Sequence, residues 1–436
     1  MKVAICTLGC KVNQYETQAM EQELARRGHE IVPFEGDADV YVVNTCSVTA
    51  VGDQKSRQAL RRAQKSHPKA VTALCGCYAQ THLEEVRGLG ADVVGGTGDR
   101  MGFVDLLERA AAEKAAGDAP ALVSVDESLK RRTFEVLSAG GLPTRTRAML
   151  KVEDGCVNFC SYCIIPYARG PVRSEPLDRA AEQARALAEE GYREIVLTGI
   201  EISSWGQDLK NGQTLIDLIE AVCAAAPEVR IRLGSLEPRT VTEEFCRRAA
   251  RLTNLCPQFH LSLQSGCDAT LRRMNRKYDT ARYFESVRLL EQFFDRPAVT
   301  TDLITGFPGE TEEEFALTLD FLRRCGFARM HVFPYSIRPG TPAAALPQVP
   351  KAVKDRRARE AGETAEALRR AYLEGCVGRT YPVLFEQEKG GRWYGHAPNY
   401  AEVLAAGTAL HNQVRSVRIT GIDGTALLGE IMEEQG

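Results

Sequence analysis

Three cysteines, Cys156, Cys160 and Cys163, stand in the pattern CxxxCxxC. That spacing puts three thiolates on one tight loop, where each can take one iron of a 4Fe–4S cluster. The fourth iron is left open, and an open metal position is where a catalytic site takes a small-molecule ligand. The alternative is structural zinc, which favours four protein ligands, commonly in two pairs. No fourth cysteine or histidine lies near this loop and the seven histidines are scattered, so the cluster is the better reading.

A second set is spread out. Cys10, Cys46 and Cys77 are 36 and 31 residues apart, which matches no short metal motif. Each closes an apolar run, in TLGC, VVNTC and LCGC. The ends of parallel strands share one edge of a sheet, where α/β proteins gather ligands. Three thiolates from three such ends would converge and could hold a second cluster with an open iron. Cys75 is an ambiguity, two residues from Cys77; Gly76-Cys77 repeats the Gly9-Cys10 arrangement, which favours Cys77. Cys6, Cys223, Cys246, Cys256, Cys267, Cys325 and Cys376 read as small buried apolar residues.

The elements that must position these residues fall into three rhythms. Strand patterns at 2–6, 40–43 and 70–74 alternate with helical patterns at 16–27 and 54–66, the βα alternation of a doubly wound parallel sheet. An alanine-rich helix ends this segment, and a polar connector follows. Six further βα repeats have strands at 148–152, 194–197, 230–233, 259–263, 299–304 and 330–333, a complete or partial TIM-like barrel. A charged helix near 351–374 closes that segment. Short strands at 381–385, 392–394, 401–404, 413–419 and 426–431 then suggest a small antiparallel β-barrel of the oligonucleotide-binding, OB-like kind. The expected divisions are 1–120, a connector at 121–144, 145–375 and 376–436.

Bulk properties agree with two to four domains in 436 residues. No apolar run reaches the roughly 20 residues of a membrane helix, and MKVAICTLGC reads as a first strand rather than a secretory signal. A cytoplasmic protein without membrane contact is expected. Fourteen cysteines in such a chain point to metal or redox chemistry more than to disulfides. The net charge of −3 excludes a globally basic nucleic-acid binder, so an RNA site must be a local patch.

The CxxxCxxC loop, with Tyr162 before its last cysteine, resembles the signature of the radical S-adenosylmethionine (SAM) superfamily. There the open iron chelates SAM, which is cleaved to methionine and a 5′-deoxyadenosyl radical. Barrel sites collect at the C-terminal ends of strands, which makes Gly199, Glu201, Ser235, Glu237 and Gln264, with Tyr162, the candidate SAM contacts. Two cysteine triads followed by a small barrel are similar, across nearly the whole chain, to the methylthiotransferase family. The resemblance implies Cys10, Cys46 and Cys77 as ligands of an auxiliary 4Fe–4S cluster, and a TRAM domain at 376–436.

The run Thr7-Leu8-Gly9-Cys10-Lys11-Val12-Asn13-Gln14-Tyr15-Glu16 resembles the threonylcarbamoyladenosine (MtaB-type) branch rather than the isopentenyladenosine or ribosomal-protein branches. Asn44-Thr45-Cys46, Gly76-Cys77-Tyr78 and Cys163-Ile164-Ile165-Pro166-Tyr167-Ala168-Arg169-Gly170 agree with it. The resemblance implies two 4Fe–4S clusters and two SAM molecules. One SAM would methylate a sulfide of the auxiliary cluster. The other would give the radical that takes hydrogen from carbon 2 of the modified adenine, next to the anticodon of tRNA. It also implies an electron donor such as flavodoxin or ferredoxin, and a sulfur source.

Three basic runs could meet phosphates: Lys55, Arg57, Arg61, Arg62, Lys65 and Lys69; Lys130, Arg131, Arg132, Arg145, Arg147 and Lys151; and Arg272, Arg273, Arg276 and Lys277. From Gly378 onward there are five Lys and Arg against seven Asp and Glu. The last segment would therefore recognise RNA through Arg392, Trp393, Tyr394, His396 and Asn399, with aromatics stacking on bases. The rival readings are the two other methylthiotransferase branches and a non-catalytic iron–sulfur RNA-binding protein.

Overall fold

The computed structural model of the protein describes residues 1–138, 140–141 and 145–432. Parts of the expected connector (139 and 142–144) and the last four residues of the 376–436 segment lie outside it. The chain forms two compact units. One comprises 1–141, 151–175 and 336–344, and the other the remaining described chain. The units divide the chain along different lines from the sequence-based segments, because the CxxxCxxC loop belongs with the N-terminal sheet.

In the first unit, six parallel strands lie in the order Glu30–Ile31, Lys2–Thr7, Val40–Thr45, Val71–Gly76, Val93–Gly95, Leu122–Ser124. Val40–Thr45 and Val71–Gly76 are buried at every position, as strands covered on both faces must be. Their alternating side chains feed two layers. Val40, Val42, Val71, Ala73 and Cys75 pack with Met20 and Leu24 of helix Lys11–Arg26 and Phe103, Val104 and Leu107 of helix Arg100–Ala115. Val43 and Leu74 pack instead with Leu60 of helix Ala50–Ser66, Tyr78 and Val86. The sheet is doubly wound, as its rhythm implied.

The order reverses between Lys2–Thr7 and Val40–Thr45, since the chain goes outward to one side after the first and to the other side after the second. A crevice opens at such a switch point, at the C-terminal ends of the strands. Cys10 and Cys46 follow these two strands, and Cys77 follows the next one along.

In the second unit, parallel strands run through Arg147–Lys151, Glu194–Thr198, Arg230–Leu233 and its continuation Ser235–Leu236, Gln258–Leu261, Ala298–Thr305 and Arg329–Pro334. This is an arc of six βα repeats, a partial (βα)6 barrel. Helix Lys351–Glu374 leads to a closed barrel in the order Thr380–Lys389, Arg392–His396, Glu402–Ala405, Ala426–Ile431, Val414–Asp423. One feature departs from the antiparallel expectation: Glu402–Ala405 pairs with Ala426–Ile431 in parallel. The crossing strand Val414–Asp423 separates them in sequence, so the fifth strand closes the barrel in the same direction as the third. The 1-2-3-5-4 order is OB-like.

The small barrel is fastened to the N-terminal ends of the arc's strands. Glu194, fully buried, receives Arg147 at 2.8 Å, Arg230 at 2.7 Å and Arg232 at 2.8 Å. The same arginines reach Glu386 and the carbonyls of Pro382, His396 and Pro398. The barrel thus sits at the end of the strands opposite to the edge where ligands are expected.

Candidate metal centre

Cys10 is the N-cap residue of helix Lys11–Arg26, with extended backbone, and is exposed. Cys46 is buried, and its Sγ accepts a hydrogen bond from the Val48 amide at 3.4 Å. Burial pushes the Cys77 thiol up to about 12; Arg169 opposes this, while Cys10 and Cys46 add to it. The three thiols therefore share one electrostatic neighbourhood at the switch point. Among the described residues no three Cys, His, Asp or Glu side chains are gathered tightly enough for a single ion. Thiolates of an iron–sulfur cluster each bind a different iron and stand farther apart.

The backbone around them is cut to fit. Gly9 has φ +99°, and a Cβ there would lie 2.8 Å from Cys46 Sγ. Gly76 has φ +97°, and its Cβ would lie 2.6 Å from the Thr45 carbonyl oxygen and 2.7 Å from Asn44 Oδ1. Gly76→Ala is expected to cost at least about 2 kcal/mol, from left-handed strain plus a backbone clash, and to move Cys77. Iron per chain after anaerobic reconstitution, read beside the urea midpoint, checks this: both should fall.

Cys75 resolves plainly. Its side chain lies in the apolar layer beneath helices Lys11–Arg26 and Arg100–Ala115, away from the strand edge that carries Cys77. Cys77 lies past the end of the strand, where it opens helix Cys77–Thr81, whereas Cys75 is buried within the strand, which raises its thiol to about 11.

The second triad sits on the irregular loop between Glu153–Asp154 and the short helix Ile165–Arg169. Cys160 is buried, while Cys156 and Cys163 are half-buried. The Cys156 amide donates to the Gly170 carbonyl at 3.0 Å, the Cys163 amide to that of Cys160 at 2.9 Å, and the Asn158 amide to Cys156 Sγ at 3.5 Å. Gly155 (φ +94°) has the Pro171 carbonyl oxygen 2.1 Å from where a Cβ would lie. Phe159, at φ +46°, is exposed and stacks edge-on with exposed Tyr167. An amide donor on the Cys156 sulfur and a partly open face suit a cluster that must admit a ligand.

A buried charge network, absent from the sequence-based site, lies between the two triads. Glu16 is wholly buried. Arg100 donates to it at 2.8 Å, Arg169 pairs with it closely, and Lys151 stands 3.4 Å away. Asp154 faces Lys151, Arg169 and Arg173 at 3.4, 3.5 and 3.3 Å. Arg169 also donates to Asn13 Oδ1 at 2.8 Å, and Asn13 Nδ2 donates to the carbonyls of Leu8 and Thr45, each at 2.8 Å. Elsewhere in this unit, Arg338 braces the loop after Cys46, donating to Asp53 at 2.5 Å and to the Val48 carbonyl at 3.2 Å. The available signal was placement: Asn13 and Glu16 lie in the first turns after Cys10, and Arg169 lies six residues after Cys163.

The expected SAM contacts are distributed as follows. Tyr162 is half-buried on the cysteine loop. In the second unit, Gly199, Glu201, Glu237 and Gln264 follow the C-terminal ends of arc strands, and Ser235 begins the continuation strand Ser235–Leu236. Glu201 and Glu237 are brought together: Ser203 donates its amide to Glu201 at 3.0 Å and accepts the Glu237 amide at 2.9 Å. Burial raises the Glu201 carboxyl, and the Glu237 charge adds to this. Glu237 is in turn held by Arg276 at 2.9 Å. Gln264 takes a left-handed φ of +68°, its amide bonded to the Asp302 carbonyl. Ser235 is exposed and Gly199 half-buried.

Of the five expected RNA contacts, Arg392 is exposed beside Asp423, and Trp393 and Tyr394 are half-buried. Trp393 packs against the barrel core. His396 and Asn399 do not offer their side chains to RNA here. His396 is buried against Glu386 at 2.5 Å, and Asn399 is buried with its amide on Tyr372 and its oxygen on the Ala401 amide. The first basic run lies exposed along helix Ala50–Ser66, with Lys69 in the turn after it, apart from Arg57, which meets Tyr78 and Glu85. The other two runs are split, with buried Lys151 and half-buried Arg147 held in ion networks and Arg273 and Arg276 paired internally. No helix among the described residues is long and apolar enough to cross a membrane.

Residues 150–322 match the Radical SAM superfamily, and residues 2–96 match the Uncharacterized protein family UPF0004. A solved radical S-adenosylmethionine methyltransferase, TsrM from Kitasatospora setae, shares the fold with a TM-score of 0.54 at 16% identity, over 79% of this chain and 77% of its own. A threonylcarbamoyladenosine tRNA methylthiotransferase MtaB of Bacillus subtilis is 39% identical over 93% of this chain and 90% of its own length. Its counterpart in Aquifex aeolicus is 37% identical over 89% and 93%. A tRNA-2-methylthio-N(6)-dimethylallyladenosine synthase of Maricaulis maris is 32% identical over 99% and 97%. With full-length relatives of this kind and both cysteine triads in place, the chain belongs to the radical-SAM tRNA methylthiotransferases, in their threonylcarbamoyladenosine (MtaB) branch.

Proposed function

We propose that this protein transfers a methylthio group to carbon 2 of N6-threonylcarbamoyladenosine in tRNA. The observation that carries this reading is the 39% identity to a threonylcarbamoyladenosine tRNA methylthiotransferase over nearly the whole of both chains. The gathering of both cysteine triads in one compact unit supports it. Cys10, Cys46 and Cys77 would hold the auxiliary 4Fe–4S cluster, and Cys156, Cys160 and Cys163 the cluster that binds SAM. When bound, these groups supply the radical and the sulfur chemistry. The protein's own residues position and shield.

As SAM contacts we propose Glu201 and Glu237, whose carboxylates would take the amino group or ribose hydroxyls, with Gly199, Ser235 and Gln264 of the arc, and Tyr162 of the cysteine loop. The target base must leave any stack to reach the C-terminal strand ends of the arc. The exposed basic stripe Lys55, Arg61, Arg62 and Lys65 would meet tRNA phosphates, and Arg392, Trp393 and Tyr394 would meet another part of the RNA. Because the small barrel sits at the opposite end of the arc strands, it would grip tRNA away from the reacting nucleotide. As modules we assign 1–120, 145–375 and 376–436. We place the enzyme in the cytoplasm, served by a flavodoxin- or ferredoxin-like electron donor and a separate sulfur source.

The test is mass analysis of nucleosides from tRNA of a strain lacking its own such enzyme and complemented with this chain. The 2-methylthio form of threonylcarbamoyladenosine is expected to appear. Methylthiolation of isopentenyladenosine or of a ribosomal-protein aspartate in its place would overturn the assignment.

A further inference from the structure

We propose that Arg169 is a positioning residue that ties the SAM-cluster loop to the floor of the auxiliary site, so that the two cysteine triads are held in fixed register. This rests on the two-cluster reading above. Connected hydrogen bonds within a single compact unit make this tie. Arg169 ends the short helix that begins two residues after Cys163, and the next residue, Gly170, accepts the Cys156 amide at 3.0 Å. Its backbone is thus part of the second triad's loop. Its side chain goes elsewhere. It is wholly buried, pairs with Glu16, and donates to Asn13 Oδ1 at 2.8 Å.

Asn13 passes the constraint on. Its amide nitrogen bonds the carbonyl of Leu8, two residues before Cys10, and that of Thr45, directly before Cys46. Thr45 reaches the third ligand, since its hydroxyl donates to the Cys75 carbonyl at 2.6 Å and accepts the Tyr78 amide at 3.2 Å, on either side of Gly76-Cys77. One planar guanidinium therefore connects the Cys156 turn to the turns of Cys10, Cys46 and Cys77. A fork that bonds two partners at once is a task for arginine and not for lysine. The positive charge also lies near Cys77, and charge and hydrogen bonds around thiolates tune a cluster's potential.

The test uses full-length protein reconstituted with iron and sulfide, comparing the parent with Arg169→Lys, which keeps the charge and loses the fork. The auxiliary cluster is read by electron paramagnetic resonance in a Cys156→Ala/Cys160→Ala/Cys163→Ala background. The SAM cluster is read in a Cys10→Ala/Cys46→Ala/Cys77→Ala background. Arg169→Lys should change the auxiliary signal and its midpoint potential and leave the SAM-cluster signal as in the parent. In the protein with all six ligands, the ratio of 5′-deoxyadenosine to methylthiolated tRNA should rise about tenfold. A purely structural role would not separate the clusters in this way. Unchanged auxiliary signal and ratio would overturn the proposal, as would a shift confined to the SAM cluster.

If Arg169→Lys does not retain iron, Asn13→Ser breaks the link while leaving the Arg169–Glu16 pair, and the same readings decide. A parent that binds only one cluster would fail the functional reading itself, a result distinct from a two-cluster parent indifferent to Arg169.

Discussion

Cys77→Ala is expected to lower iron from about eight to about four per chain and to abolish methylthiolation of tRNA, while SAM is still cleaved to 5′-deoxyadenosine. The expectation follows from where the sulfur sits. Cys77 opens a one-turn helix at the strand edge, in the electrostatic neighbourhood of Cys10 and Cys46, and the second triad lies on a separate loop with its own amide donors. Loss of one thiolate of three should release the auxiliary cluster and leave the other in place. Cys75→Ala is the matched control. It removes one sulfur from an apolar layer, at a cost of about 1 kcal/mol or somewhat more, with iron and product unchanged. Iron and sulfide assays beside nucleoside mass analysis read both variants. Equal iron loss in the two would mean that Cys75 is a ligand.

Much of this was legible because apolar runs and their turns are local signals. Strands such as Arg230–Leu233 and Ala426–Ile431 coincide with their patterns, and the three separated cysteines stood out by following strands. The charge network was not legible, for a physical reason. Helix Lys11–Arg26 buries Asn13, Glu16, Thr17 and Gln18, residue types that otherwise mark a solvated face, so its pattern begins five residues late. Lys151 and Arg147 likewise read as members of a basic surface run, yet Lys151 is buried against Glu16 and Arg147 is half-buried against Glu194. His396 and Asn399 misled in the same way: polar types in a short-strand segment look available to RNA, but His396 is buried against Glu386, and Asn399 against Tyr372 and the Ala401 amide. Partners far apart in sequence decide whether a charge faces water, and a single chain read residue by residue does not contain them.

Glu16→Gln tests what the network is worth. Three cations, Arg100, Arg169 and Lys151, converge on this one buried carboxylate. Removing one partner of a buried ion network leaves charge uncompensated in a medium that solvates it poorly, at a cost of about 3–5 kcal/mol. The pH dependence has a definite sign. Burial alone would push the Glu16 carboxyl up, but Arg100, Arg169 and Lys151 outweigh it and hold it well below the usual carboxylate range. In the unfolded chain the same group titrates near about 4.3. Its contribution is therefore fully present above that pH and is lost as pH falls toward the depressed folded value. The gap between parent and Glu16→Gln should be constant from pH 6 to 8, at about the stated size, and should narrow below about pH 4. Both tryptophans, Trp205 and Trp393, lie in the second unit, so fluorescence would miss the event. Amide hydrogen exchange along helix Lys11–Arg26 reads it directly, with protection in the variant expected to fall by roughly two to four orders of magnitude. Parental protection at neutral pH would show that the three cations find other counter-charges, Asp154 and Glu135 being the nearest, and that Glu16 is not the keystone of the site.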